Sequence, residues 1–245
     1  MRKNIFFCLF LFFVLSTSYG QNEELYKAYI SNKMDTWKEN MDSMERKFTA
    51  EESKEALLDL TVAQYGYVAY CMSMKQKKKA KSYVLKAEVN AKQMLDYNHK
   101  WARAHALLGA IYGFKAGQAP YKAPVLGIRA MKEVNKAFVL DPGDPHIWME
   151  KGNVELYKPA IFGGNKHEAI RHYLKAIDLF EEDPEQLDNS WLYLNTLSGL
   201  ATAYVRTNQV KKADQTYRKI LRIEPAFVWI RDDVYPSFRR KYSEE

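Results

Sequence analysis

The feature that most constrains this chain is the three- and four-residue spacing of its apolar residues. One stripe consists of Val210, Ala213, Tyr217, Ile220 and Leu221. A second stripe of the same period occupies residues 169–180. This spacing places each stripe on one face of an α-helix, whereas a strand would show strict alternation. With 11 Gly and 8 Pro in 245 residues, turns are few, so the sequence predicts an all-α fold of long helices.

The first twenty residues have the pattern of a secretory signal peptide. Arg2 and Lys3 precede an apolar run over residues 5–15, and small residues end at Gly20. A membrane anchor is the alternative, but spanning a bilayer needs about 20 apolar residues. We therefore expect cleavage after Gly20 and an exported protein, periplasmic or secreted, that begins at Gln21. No later stretch is apolar enough to predict a helix that would span a membrane once the signal peptide is removed.

Cysteine content excludes an internal disulfide in the mature chain. Only Cys71 remains after removal of the first twenty residues, and it lies in the apolar run of residues 67–72. Stability must therefore come from packing, and we expect Cys71 to be a small buried apolar side chain.

The apolar stripes are themselves repeated along the chain. In each unit the first helix carries large residues and a pair whose second member is Gly or Ala. The second helix carries small residues around an aromatic residue or Val. The members are Leu108, Gly109 and Tyr112 with Ala130, Val134, Ala137 and Pro142; Trp148, Lys151 and Gly152 with Ala169, Tyr173 and Ala176; and Leu197, Leu200, Ala201 and Tyr204 with Ala213, Tyr217, Ile220 and Pro225. Small residues allow paired helices to cross closely.

This pattern resembles the tetratricopeptide repeat. The resemblance implies an α–α superhelix, a solenoid of about four helix pairs within a single domain of residues 21–245. The expected repeats cover roughly residues 60–99, 101–142, 144–182 and 190–225, with capping helices before them and at 226–245. Lys151 and Glu155 depart from the family pattern, because Leu and Tyr are usual there.

The resemblance also implies that the first helices form a concave face that binds a partner. The residues expected to line it are Arg103, Ala106, Ala110, Gly113 and Phe114; His146, Met149, Asn153, Leu156 and Tyr157; and Asn195, Ser198, Thr202, Val205 and Arg206. Such a face, with an apolar floor and two Arg, suits an extended peptide or an amphiphilic ligand. Of the family's carboxylate-clamp positions only Asn153 fits.

Two units contain insertions between their paired helices, at residues 117–126 and 158–164. Each loop contains Pro and one aromatic residue, Tyr121 or Phe162. Because solenoid units repeat one orientation, we expect the two loops to be neighbours. Either the aromatics contact a partner, or they fold back against their own helices.

Chemistry-bearing motifs are few. His167 and His172 are five residues apart, which points them in different directions on a helix and does not predict a metal site. Gly163 and Gly164 precede a helix and indicate a turn, with an anion site as the alternative. The five lysines of residues 75–81 indicate a solvated turn, or a patch for an anionic lipid or an acidic partner.

The sequence therefore predicts an exported interaction module that binds a protein or peptide, with no catalysis and no cofactor. The alternative is a periplasmic carrier for an apolar organic anion, resembling transporter-associated repeat proteins. An enzyme with an unrecognised site is a remote third. A nucleic-acid partner is not expected because the chain carries an export signal.

Overall fold

The computed structural model describes residues 23–242, which form eleven α-helices and no strand. The helices are α1 (Glu23–Ile30), α2 (Met34–Glu51), α3 (Lys54–Ser73), α4 (Lys77–Tyr97), α5 (Ala102–Gln118), α6 (Ala123–Leu140), α7 (Pro145–Tyr157), α8 (Lys166–Glu182), α9 (Trp191–Arg206), α10 (Val210–Ile223) and α11 (Tyr235–Tyr242). Short 3₁₀ turns lie at Pro120–Lys122, Ala160–Phe162 and Pro184–Gln186, and a π-helix covers Trp229–Val234. The predicted signal peptide lies outside the described residues.

Consecutive helices pack as four pairs, α3 with α4, α5 with α6, α7 with α8 and α9 with α10. The first helices also contact one another in order along the array. This arrangement confirms the predicted all-α superhelix of helix pairs. The first pair starts at Lys54, six residues before the expected start at residue 60.

Small residues let the paired helices approach closely at each crossing. A Cβ atom on Gly109 would lie 2.6 Å from Val134 Cγ2 and 2.9 Å from the Ala130 carbonyl oxygen. A Cβ atom on Gly152 would lie 2.7 Å from the Tyr173 ring. These approaches are closer than real Cβ contacts, so glycine is required where α5 crosses α6 and where α7 crosses α8.

Side-chain caps begin helices α3, α7, α8 and α9. Asp144 caps α7 by accepting a hydrogen bond from the His146 amide, and Pro145 takes the first helical position. Asp183 and Pro184 start only a single 3₁₀ turn. The next long helix, α9, begins instead at Ser190, whose hydroxyl accepts from the Tyr193 amide.

The first helix of the described chain joins the two ends of the array. Helix α1 packs on α2 and also on α9. The Tyr29 ring lies 4.9 Å from the ring of Phe227, just beyond the last repeat, and the Tyr26 hydroxyl donates a 2.7 Å hydrogen bond to Glu224. The N-terminal segment therefore bridges the capping helix α2 and the last repeat.

Trp191 at the start of α9 closes the array from inside. Its ring lies edge-on to Trp37 of α2, 5.0 Å between centroids, and 6.4 Å from Tyr65 of α3. A Cβ atom on Gly66 of α3 would lie 2.9 Å from the Trp191 ring. The fourth repeat thus reaches back to the first, and much of the expected concave face becomes interior.

The alternation of the helices places the inter-helix turns on two opposite edges. Turns from a first to a second helix lie on one edge, and turns from each pair to the next lie on the other. Helix α5, at 17 residues, separates the edges by about 25 Å. The two insertions lie on the edge that carries the turns from a first to a second helix.

Two further predictions from the sequence concern Cys71 and membrane-spanning helices. Cys71 is fully buried and carries a free thiol, as predicted. Within residues 23–242 no helix is both long enough and apolar enough to cross a bilayer.

Replacing Ala213 by Leu tests the repeat packing. Ala213 is fully buried on α10, so added methylenes must displace neighbours, and we expect a loss of roughly 1–3 kcal/mol in unfolding free energy. Urea denaturation monitored by circular dichroism measures it. Gln215→Leu, at a less buried site on the same helix, is the control and should be near neutral. An equal effect of both substitutions would contradict the assigned register.

Candidate functional site

A cavity of about 1170 Å³, hereafter the edge cavity, opens at one edge of the described structure. It lies where α3, α5, α7 and α9 begin, on the edge that carries the turns between repeats. Its walls combine apolar and charged side chains, including Leu25, Asp59, Trp101, Arg103, Asp141, Asp144, His146, Asp183, Glu185, Asp188 and Trp191. The volume is in the range that holds a small molecule or several peptide side chains.

A buried ionic network organises one wall of the edge cavity. Arg103 Nε donates a 2.6 Å hydrogen bond to Asp144, and His146 Nδ1 lies 2.7 Å from the other carboxylate oxygen. Burial opposes ionisation of Asp144, but His146 and Arg103 together hold its pKa below the usual range. Burial, together with Arg103, lowers the pKa of His146. The site therefore contains an ionised Asp144 held by Arg103 and by the Nδ1–H of His146.

Asp59 contributes a carboxylate to the opposite wall. It is partly buried on the first turns of α3, and no ion pair within 4 Å joins it to any residue of the described chain. Burial raises its pKa to about 6, an effect that Lys47 and Arg103 partly offset. A carboxylate of this kind is a candidate partner for a cationic ligand.

The charges around the edge cavity are mainly negative. Besides Asp59 and Asp144, the lining includes carboxylates from the turns at residues 141–144 and 183–188, whereas Lys100 and Arg103 are its cationic members. Because Arg103 is already paired with Asp144, the remaining field favours a cation. The partly buried Trp101 adds apolar surface and a π-face for it, whereas Trp191 is packed against Tyr29 and Trp37.

A second cluster of polar residues lies deeper, between the first helices. Asn153 connects it: its amide nitrogen donates to the Tyr65 hydroxyl at 3.3 Å and to Glu150 Oε2 at 3.2 Å. The Tyr173 hydroxyl donates to Asn153 Oδ1 at 2.6 Å. Asn153, predicted to contact a partner, instead links helices α3, α7 and α8.

Glu150 is the charged member of this buried cluster. Its carboxyl group is almost fully buried, and burial raises its pKa to about 7 although hydrogen bonds from Tyr65 and Asn153 oppose the shift. A raised acid pKa means that the native state holds a proton that the unfolded chain has released. Glu150 therefore weakens the fold as the pH rises.

The remaining predicted groove residues fall into an interior set and a surface pair. Met149 and Ser198 are buried, while Phe114, Asn195 and Thr202 are partly buried. The Phe114 ring lies 5.4 Å from Tyr65. At the edge opposite the cavity, the Arg206 guanidinium lies 5.1 Å from the exposed Tyr157 ring and donates to the Leu156 carbonyl oxygen.

The insertion loops hold Tyr121 and Phe162 at that same opposite edge. Tyr121 is 82% exposed, so it does not fold back against its own helices, and Phe162 is 51% exposed. Lys158 Nζ lies 3.8 Å from Met131 Sδ on α6. The second loop therefore starts beside the helix that follows the first loop.

The glycine pair noted in the sequence lies in a turn, and the histidine pair lies on helix α8. Gly163 has a φ of +83°, as expected for a turn. The amides of His167 and Glu168 donate to the Asn165 side chain, so the alternative anion site at this helix start is already occupied. In the described part of the chain, no group of three His, Cys, Asp or Glu side chains is arranged to hold a metal.

Sequence reasoning missed Asp59, Glu150 and the tryptophans of the edge cavity. The pairing of Asp144 with Arg103 joins residues 41 positions apart. No local pattern marks a carboxylate that becomes buried through contacts between repeats. Arg103 and His146, predicted as groove residues, do line the edge cavity.

Comparison with known proteins supports the class of fold. Residues 194–227 match the tetratricopeptide repeat family model, and these residues are the α9–α10 pair. A thermophilic TPR protein of Thermus thermophilus aligns at 16% identity, over 91% of this chain and 97% of that one, with a TM-score of 0.57. The chain therefore contains a tetratricopeptide repeat and has the fold of tetratricopeptide repeat proteins.

One further solved structure aligns weakly, and the curated proteins give no match. BtubC from P. vanneervenii aligns at 14% identity over 82% of this chain and 74% of its own, with a TM-score of 0.41. No curated protein matches the chain.

Replacing Glu150 by Gln tests the buried cluster. Between pH 4.5 and about 7 the wild type loses stability as the pH rises, because only the unfolded carboxyl ionises freely there. The variant should therefore be more stable than wild type at about pH 8, by up to about 3 kcal/mol, and nearly equal near pH 4.5. Thermal melts across this range measure the difference. The exposed Glu182→Gln is the control, and a pH-independent effect of Glu150→Gln would contradict the assignment.

Proposed function

We propose that this chain is an exported interaction module that uses its edge cavity to bind a basic, apolar segment of a partner protein. Helical repeat arrays of this fold commonly serve as protein-interaction scaffolds. The observation that carries the proposal is the edge cavity, with its unpaired carboxylate and aromatic walls. Export rests on the signal-like sequence of residues 1–20.

The interior of the array supports this location for binding. The Trp191 side chain lies in the concave face that repeat arrays commonly leave open, and residues of that face such as Met149 are buried. Binding there would require separation of the first and last repeats. The edge cavity needs no such opening because part of its lining, including Lys100, Asp141 and Asp188, is exposed to solvent.

The lining also decides what kind of ligand fits. A carrier for an organic anion would need unpaired cations, yet Arg103 is bound to Asp144 and the remaining charges are mainly carboxylates. An anion would therefore be repelled, whereas a Lys or Arg side chain would be attracted to Asp59. The cavity favours a cationic peptide over the organic-anion alternative.

Selection of random peptides on the mature protein tests the proposal. Peptides of about ten residues should be enriched in Lys or Arg beside apolar residues. Asp59→Asn and Asp188→Asn should each weaken a selected peptide by about three- to tenfold. Asp178→Asn, an exposed carboxylate of α8 away from the cavity, is the matched control. Selection of acidic peptides, or equal losses in all three variants, would contradict the site.

The pH dependence of binding gives a separate check. The pKa of Asp59 is raised to about 6, so its charge disappears as the pH falls below that value. A selected basic peptide should bind more weakly at about pH 5 than at about pH 7.5. Isothermal titration calorimetry measures the difference, which should be smaller in Asp59→Asn.

A further inference from the structure

The turns along the edge opposite the cavity are rich in positive charge. Four segments lie along it, each spanning a turn between a first and a second helix, and we refer to them together as the basic edge: residues 75–81, 115–122, 158–166 and 206–212. The first contains five Lys, the second and third two Lys each, and the fourth one Arg and two Lys. None of the four contains Asp or Glu.

Most of these cations have no acidic partner. Lys115 pairs with Glu88, and Lys158 pairs with Glu155. Among the described residues, the others form no salt bridge: Lys75, Lys77, Lys78, Lys79, Lys81, Lys122, Lys166, Arg206, Lys211 and Lys212. Such a concentration of unpaired charge attracts anions over distances near the Debye length.

Large apolar side chains project from the same edge. Tyr121 and Ile161 are 82% and 85% exposed at the tips of the two insertion loops. Met74, Tyr157 and Phe162 are also exposed. Exposed apolar groups among cations combine the two attractions that bind a protein to an anionic membrane surface.

We propose that the basic edge docks on an anionic lipid bilayer, with the insertion loops entering its interfacial region. Lysines on all four turns would face the headgroups, while Tyr121 and Ile161 would reach the boundary of the acyl chains. This inference is independent of the proposed function, because it uses other residues. It would leave the edge cavity pointing away from the membrane.

The charge distribution favours a bilayer over an acidic protein. A protein interface usually concentrates its energy in a few central residues with a rim of mixed charges. Here the unpaired charges of the four successive turns are all positive, and the most exposed apolar groups are at loop tips. A continuous anionic surface can contact all four turns at once.

Vesicle sedimentation tests the proposal. The mature protein should bind vesicles of phosphatidylcholine with about one-third phosphatidylglycerol, and binding to phosphatidylcholine alone should be much weaker. Replacing Lys77, Lys78 and Lys79 by Gln should reduce the partition coefficient about a hundredfold, since each lysine near such a surface contributes about a factor of five. The double variant Tyr121→Ser, Ile161→Ser should also bind more weakly.

Matched controls separate the surface from net charge and from folding. Lys47, Lys54 and Lys100 are exposed near the opposite edge, so their replacement by Gln makes the same charge change and should have little effect. Val89→Ser with Val139→Ser removes two other exposed apolar groups, 63% and 80% exposed, and should also preserve binding. Thermal melts should be similar for all four variants.

Several outcomes would overturn the proposal. They are no binding to anionic vesicles, equal losses from the two lysine triples, and unchanged binding after loss of Tyr121 and Ile161. Binding of soluble polyglutamate without binding of vesicles would assign the basic edge to an acidic protein instead.

Discussion

The contact of Trp191 with Trp37 and Gly66 determines most of the architecture, because it fixes the last repeat against the first. Without a side chain on Gly66, the indole of Trp191 reaches α3 directly. Helix α1 strengthens this closure through Tyr29, whose ring lies 5.6 Å from Trp191. A chain of helix pairs that would otherwise leave an open groove thus becomes closed. The interior fills with side chains, and access for partners moves to the two edges.

Closure also explains the position of the buried polar groups. Asn153 and Glu150 lie on the helix face that an open array would expose, yet here they belong to a hydrogen-bonded cluster that joins three helices. Their burial gives Glu150 its raised pKa and makes the interior sensitive to pH. At the rim, where closure ends, Arg103, Asp144 and His146 satisfy one another. Within residues 23–242, Asp59 forms no salt bridge, and it is therefore the carboxylate that we expect a ligand to contact.

The two edges differ in charge because each carries a different class of turn. Turns between repeats supply helix caps such as Asp144 and Ser190, and Asp is a preferred capping residue. Turns within repeats are rich in Lys and include both insertions. The molecule therefore has an acidic side with a cavity and a basic side with exposed apolar tips. A protein with this polarity, docked through its basic side, would present the cavity to partners in solution.

The sequence by itself determined the helices, their pairing and the repeat register, because these depend on local spacing of apolar and small residues. The close packing at Gly109, Gly152 and Ala213 could be predicted for this reason. Only the tertiary structure decided whether the concave face stays open, since that depends on contacts between residues far apart in sequence, such as Trp37 and Trp191. For the same reason Met149, expected to line an open groove, is buried, and Asn153 is partly buried and hydrogen-bonded to Tyr65 and Tyr173. Asp59 and Glu150 acquire their pKa values from burial, which no local pattern encodes.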